Sequence, residues 1–210
     1  MLRPIKLKRG GARNRASRVS WQLRECDCRK LIDASLAALW AEMPFNRYIT
    51  IAWERAGVPA DQAVDATGKF RRLAMSWMGT RNATMPWAWV QECGNTFGQH
   101  AHILLHVPPH LDPLFRSMPL RWTKAILPGR YVARTLQTQR LKNATAFQGK
   151  AYQTELLGKV HYMLKAAPIE LEAVVDMAGY RRKRWGQFCP VIGKRVGVWQ
   201  DWKKAAHGTR

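Results

Sequence analysis

Hydrophobic positions along this chain switch between two periods, and the switches mark its elements. From Phe45 to Trp53 (FNRYITIAW) β-branched and aromatic residues crowd together, which predicts a strand. Met85 to Cys93 (MPWAWVQEC) predicts a second strand and Gln99 to Val107 (QHAHILLHV) a third. Between them, Gly94-Asn95-Thr96-Phe97-Gly98 has the turn chemistry of a hairpin, so these two strands are expected to be antiparallel neighbours. Helical spacing takes over from Leu31 to Met43, where Leu31, Leu36, Leu39 and Trp40 offer an apolar side and Pro44 ends the run. It returns from Pro59 to Met78, around Pro113 to Ile126, and from Tyr152 to Ala166, stopped before Pro168. Arg130 to Thr138 (RYVARTLQT) predicts a fourth strand. Strand, helix, hairpin, helix, strand and helix in that order describe an α+β chain.

Composition adds a partner. A chain of 210 residues suits one domain with arms, and 47% hydrophobic residues exclude a wholly disordered polycation. Against 14 Asp and Glu stand 35 Lys and Arg, a net charge of +21 that points to a polyanion rather than a small metabolite. The charge gathers at the ends. Residues 1–30 hold ten Lys and Arg and two acids, and residues 180–210 hold nine and one, with Tyr180, Trp185, Phe188, Trp199 and Trp202 interleaved. The expected organisation is a basic arm over residues 1–30, a folded domain over 31–179 and a loop-rich basic aromatic segment over 180–210. Arg13, Arg15, Arg18, Arg181, Arg182, Lys183, Arg184, Trp185, Lys194 and Arg195 are the candidate nucleic-acid contacts. No apolar run reaches the roughly 18 to 20 residues of a membrane span, and the first residues lack the apolar stretch of a secretory signal, so a cytoplasmic protein is expected. Cys26, Cys28, Cys93 and Cys189 are too few and scattered for a disulfide scaffold and are expected to be reduced.

The chemistry concentrates in Glu92-x7-His100-Ala101-His102. In a strand, residues 100 and 102 project from one face, and two imidazoles there can bind one divalent cation. Mg²⁺ or Mn²⁺ calls for a carboxylate oxygen as well, and Glu92 lies across the predicted hairpin. His106 lies two pleats beyond His102 and is expected to play a structural or supporting part.

A second constellation lies at Gly158-Lys-Val-His-Tyr162-Met-Leu-Lys165. On a helix, Leu156, Val160, Met163 and Leu164 share one apolar stripe, whereas Tyr162 and Lys165, three apart, both point away from it. A phenol beside an ammonium suits a nucleophile that attacks phosphate. A metal that polarises a phosphodiester while a tyrosine attacks in line would nick a nucleic-acid strand and link it to the protein.

In type, spacing and order these residues resemble the HUH endonuclease superfamily (His, hydrophobic residue, His), and within it the single-tyrosine rolling-circle replication initiators. His100-Ala101-His102 resembles the HUH motif, Glu92 its acidic third ligand, Tyr162-Met-Leu-Lys165 the Y-x-x-K motif, and Phe45 to Trp53 the first-strand motif. The resemblance spans residues 45–166. It implies a ferredoxin-like or RRM-like fold with a central antiparallel sheet of about five strands, the HUH strand in the middle and helices flanking it. It further implies a Mn²⁺ or Mg²⁺ ion on Glu92, His100 and His102. Tyr162 would attack a DNA phosphate to give a 5′-phosphotyrosine and a free 3′-OH, and Lys165 would assist. The implied substrate is single-stranded or hairpin DNA at a plasmid or phage origin. With no G-x4-GK[ST] loop in the chain, a host helicase and polymerase would complete replication. There is no second tyrosine at Y-x3-Y spacing; Tyr152 is a backup nucleophile only. The alternatives are a single-tyrosine HUH transposase, with the same chemistry on transposon ends, and a non-catalytic RRM-like nucleic-acid-binding protein whose histidines merely pack.

Overall fold

The computed structural model describes residues 18–171 and 189–201. Five strands form one antiparallel sheet: β2 (Arg47–Ala52), β3 (Trp87–Gly94), β4 (Gly98–Leu105), β5 (Leu136–Arg140) and β7 (Val196–Val198), in the spatial order β5-β2-β4-β3-β7. A two-stranded ribbon pairs β1 (Val19–Ser20) with β6 (Val191–Ile192). The helices are α1 (Glu25–Trp40), α2 (Ala63–Gly79), α3 (Asp112–Phe115), α4 (Met118–Ile126) and α5 (Lys150–Met163).

The His-bearing strand β4 is central because its side chains are covered on both faces. Ala101, Ile103 and Leu105 face a core with Ile49, Ile51, Trp89, Phe70 and Trp122, built mainly with α2 and α4. Leu104 faces the other core with Tyr48, Val90, Tyr152, Leu156 and Val160, roofed by α5. Helix α1 runs beside β3 and β7 and feeds both cores, Ala34 and Ala37 into the first, Leu31 and Ala38 into the second. β7 can approach β3 closely because residue 197 is glycine; a Cβ there would run into the Trp89 indole.

The register decides what shares a face with what. Glu92 pairs with His100 and Val90 with His102 across the hairpin, and on the other side of β4, Thr50 pairs with His102 and Tyr48 with Leu104. The hairpin turns where the sequence places it. Gly98 has φ +58°, a backbone form that favours glycine, and the Glu54 carboxylate packs where a Cβ would stand while accepting the Gln99 N–H at 2.7 Å.

Several boundaries move. The first helix begins at Glu25 rather than Leu31, so residues 18–30, assigned to the arm on charge alone, belong to the fold, and Leu23 is buried. The predicted helix from Pro113 to Ile126 breaks into α3 and α4. Pro119 lacks an N–H and is accommodated only in a first helical turn, where α4 puts it. The fourth strand begins at Leu136 rather than Arg130, because Arg134 turns the chain at φ 65° and the Tyr131 hydroxyl instead accepts the Leu136 N–H. The C-terminal segment, read as loop, supplies β6 and β7. Cys93 and Cys189 are not reduced thiols but a disulfide, with Cα atoms 5.4 Å apart; 96 residues separate them in sequence, and only the return of the chain beside β3 brings them together. Cys26 and Cys28 are free.

Tyr152 is a fold residue. It is fully buried and its hydroxyl donates to the Phe45 carbonyl at 2.6 Å, tying α5 to the entry of β2. Burial pushes its phenol further up from the usual tyrosine range. Tyr152→Phe should cost about 1–3 kcal/mol in denaturant unfolding, since it leaves a buried carbonyl without its donor, and should leave metal affinity unchanged.

Candidate metal centre

Glu92, His100 and His102 meet at the hairpin end of the sheet, on the α5 face. Glu92 Oε2 lies 3.3 Å from Nε2 of His100 and 3.3 Å from Nε2 of His102, and all three side chains are buried. The groups behind the rings set their orientation. Nδ1 of His100 donates to the Gly98 carbonyl at 2.8 Å, which leaves Nε2 with a lone pair aimed at Glu92. Nδ1 of His102 lies 2.8 Å from the Tyr48 hydroxyl and 2.9 Å from Thr50 Oγ1, and the Tyr48 ring stacks on the imidazole. Both hydroxyls can accept as well as donate, so the tautomer with its proton on Nδ1 finds a partner here and has Nε2 open as a ligand.

Burial opposes charge here. It pushes the Glu92 carboxyl up, but His102, His100 and the Lys165 ammonium more than reverse this and hold it well below the usual carboxylate range. Burial lowers His102 to about 4, so its imidazole is neutral near pH 7, the form that ligates. Glu92 Oε1 and Nε2 of His102 are buried without a hydrogen-bond partner among the described residues, while Glu92 Oε2 meets the Lys165 ammonium. Buried polar atoms are rarely left so unless another group compensates them. The ligand atoms lie within 4.8 Å of one another, and 3.3 Å is the spacing expected of two donors each roughly 2.0–2.2 Å from one divalent ion. These residues can hold a metal ion.

Sequence reasoning named the three candidate ligands that the structure brings together but missed Tyr48 and Thr50. Their signal was present in Arg-Tyr-Ile-Thr-Ile, where two hydroxyls at alternate positions share a face of a strand otherwise bound for the core. Removing both, in Tyr48→Phe with Thr50→Val, should weaken Mn²⁺ binding about 10- to 100-fold by calorimetry, because His102 loses the partners that fix its tautomer and plane.

Tyr162 sits in the last turn of α5, 39% exposed, with Leu156, Val160 and Met163 turned into the core beneath it. Its ring stands edge-on to His102 with centroids 5.1 Å apart. Lys165 does not share the helix, which ends at Met163. The turn that follows brings its Nζ to within 2.5 Å of Glu92 Oε2 and 3.7 Å above the centre of the Tyr162 ring. Beside these groups opens a cleft of about 490 Å³, lined among others by Phe97, His102, Gln137, Lys159 and Tyr162. His106 has a structural role, its Nδ1 donating to the Pro44 carbonyl at 2.7 Å.

The basic candidates divide. Arg195 is not a surface contact: it is 2% exposed, donates to the Ser20 carbonyl at 2.9 Å, and burial lowers its guanidinium to about 10. Its pattern of one cation among basic neighbours gave no hint that β7 begins beside it. Arg18 is half-buried, 4.0 Å from Asp27, and Lys194 is half-buried with its Nζ 5.9 Å from the centre of the Trp89 ring. Arg13, Arg15, Arg181, Arg182, Lys183, Arg184 and Trp185 lie outside the described residues. No helix among the described residues is long and apolar enough to cross a membrane.

No protein-family model and no curated protein matches the chain. Among solved structures, the N-terminal nuclease domain of non-structural protein 1 of Minute virus of mice is similar at 14% identity and a TM-score of 0.27, over 64% of this chain and 53% of that one. The match thus spans about half of that chain. That domain is described as coordinating Zn²⁺ in its active-site pocket and as recognising DNA at an origin of replication. At this TM-score the likeness carries no functional weight.

Proposed function

We propose that this protein is a metal-dependent, site-specific endonuclease and strand transferase acting on single-stranded or hairpin DNA at the replication origin of a plasmid or phage. One observation carries the reading: an outward-facing tyrosine stands edge-on beside a buried group of one carboxylate and two imidazoles whose possible ligand atoms converge. Glu92, His100 and His102 would hold Mn²⁺ or Mg²⁺, which when bound polarises a phosphodiester and neutralises charge developing on it. Tyr162 is the nucleophile. Its Oη bonds to phosphorus as its proton leaves to solvent, the bond to the 3′ oxygen breaks, and that oxygen takes up a proton. The products are a 5′-phosphotyrosine and a 3′-OH able to prime synthesis. The Lys165 ammonium above the ring can meet a phosphate oxygen. Basic residues at the two ends of the chain would hold the DNA backbone, and a host helicase and polymerase would extend from the nick.

The test is to incubate the protein with single-stranded DNA and Mn²⁺ and to look for an adduct that survives SDS. An adduct that disappears with EDTA is the expected result. A protein that binds origin and transposon-end DNA yet forms no adduct on either is a binding module, and the nuclease reading fails.

A further inference from the structure

Two glutamines on the sheet edge beside the cleft are held in different ways. β5 is an edge strand with exposed side chains. Gln137 pairs with Thr50, which pairs with His102, and Gln139 pairs with Tyr48, which pairs with Leu104. Alternation along the strand therefore puts both glutamines on the face that carries the metal ligands and α5. Gln139 is fixed to α5: Lys159 Nζ donates to its Oε1 at 2.7 Å, and its Nε2 donates to Glu155 at 3.3 Å. Gln137 lies one pleat nearer the metal-ligand end. It is exposed, lines the cleft, and carries no side-chain hydrogen bond to a described residue.

The chemistry of the cleft separates two tasks. Lys159 lines the cleft and Lys165 lies over the Tyr162 ring beside it, bringing positive charge suited to phosphate, and Phe97, with its ring 5.6 Å from that of His100, gives a half-buried aromatic surface on which a base can stack. A neutral amide adds little to phosphate binding but offers one donor and one acceptor side by side, the pattern that matches a base edge. Two strand spacings of about 4.8 Å separate Gln137 from His102 in the sheet, so a base next to a phosphate at the metal ligands is within its reach.

We propose that Gln137 reads one base of the DNA strand whose phosphate is addressed by Tyr162 and the metal ligands, and so sets part of the sequence preference of the site. The proposal rests on the nuclease reading of that site. Adenine is the base whose edge an amide meets with two hydrogen bonds.

The test uses the full chain carrying Tyr162→Phe, so that no strand is cut, with a single-stranded oligonucleotide pool randomised at its central positions and Mn²⁺ present. Bound oligonucleotides are recovered and sequenced, with Gln137→Ala and Gln139→Ala added in parallel. The expected result is adenine enriched at one position, with that preference reduced about 5- to 150-fold by Gln137→Ala and kept by Gln139→Ala. Total affinity for the pool should be unchanged by Gln137→Ala, because no phosphate contact is lost. Equal enrichment with and without Gln137, or no enriched position at all, overturns the proposal. The readout is non-covalent, so a missing adduct in the unsubstituted protein would refute the nuclease reading by a separate measurement.

Discussion

Tyr162→Phe should abolish the SDS-resistant DNA adduct, a loss of about three orders of magnitude or more, while leaving Mn²⁺ affinity and fold intact. The side chain is 39% exposed and nothing in the core depends on its hydroxyl, so its removal deletes the proposed nucleophile and little else. Stability should change by no more than about 0.5 kcal/mol in denaturant unfolding. Tyr152→Phe is the matched control because it affects the opposite property, lowering stability through the lost bond to the Phe45 carbonyl and sparing adduct formation. Should Tyr162→Phe retain the adduct while Tyr152→Phe loses it, the nucleophile is misassigned.

Glu92→Gln should lower Mn²⁺ affinity by more than about 100-fold, beyond what loss of a supporting hydrogen bond costs, and should remove the adduct with it. The substitution keeps shape and removes the one negative charge at the point where two imidazoles and Lys165 converge. An amide there would also lose its attraction for Lys165, whose side chain is 20% exposed and can turn to solvent. Calorimetric titration with Mn²⁺ decides the outcome. Wild-type affinity in Glu92→Gln would mean that these residues do not form the metal centre, whatever becomes of the adduct.

The part of this site that could be read from sequence is the part in which neighbours in space are also near in sequence. Strand alternation puts His100 and His102 on one face, and a glycine-bounded turn brings Glu92 across from them, so the triad follows from periodicity and turn chemistry alone. The outward direction of Tyr162 follows in the same way from the helical stripe beneath it. What sequence did not show depends on long-range return of the chain. The Tyr48 and Thr50 hydroxyls reach His102 only because β2 pairs with β4 across some fifty residues. Arg195 looked like a surface cation until β7 took its place at the sheet edge, and the Cys93–Cys189 bond depends on the same return. The placing of Lys165 was read as helical spacing, but a turn after the helix, which no propensity signals, carries it to Glu92.

The β3–β4 hairpin has one more consequence, best expressed as chain entropy. Glu92 and His102 are ten residues apart, so gathering the candidate metal ligands closes a short loop, whereas Tyr162 comes from sixty residues further on. On the proposed reading, cation affinity would be a property of one hairpin and its immediate supports, and the position of the Tyr162 hydroxyl is a property of how α5 packs. If the proposed function holds, substitutions in the α5 interface should detune attack while the ion stays bound, so that the two halves of the chemistry could be altered independently.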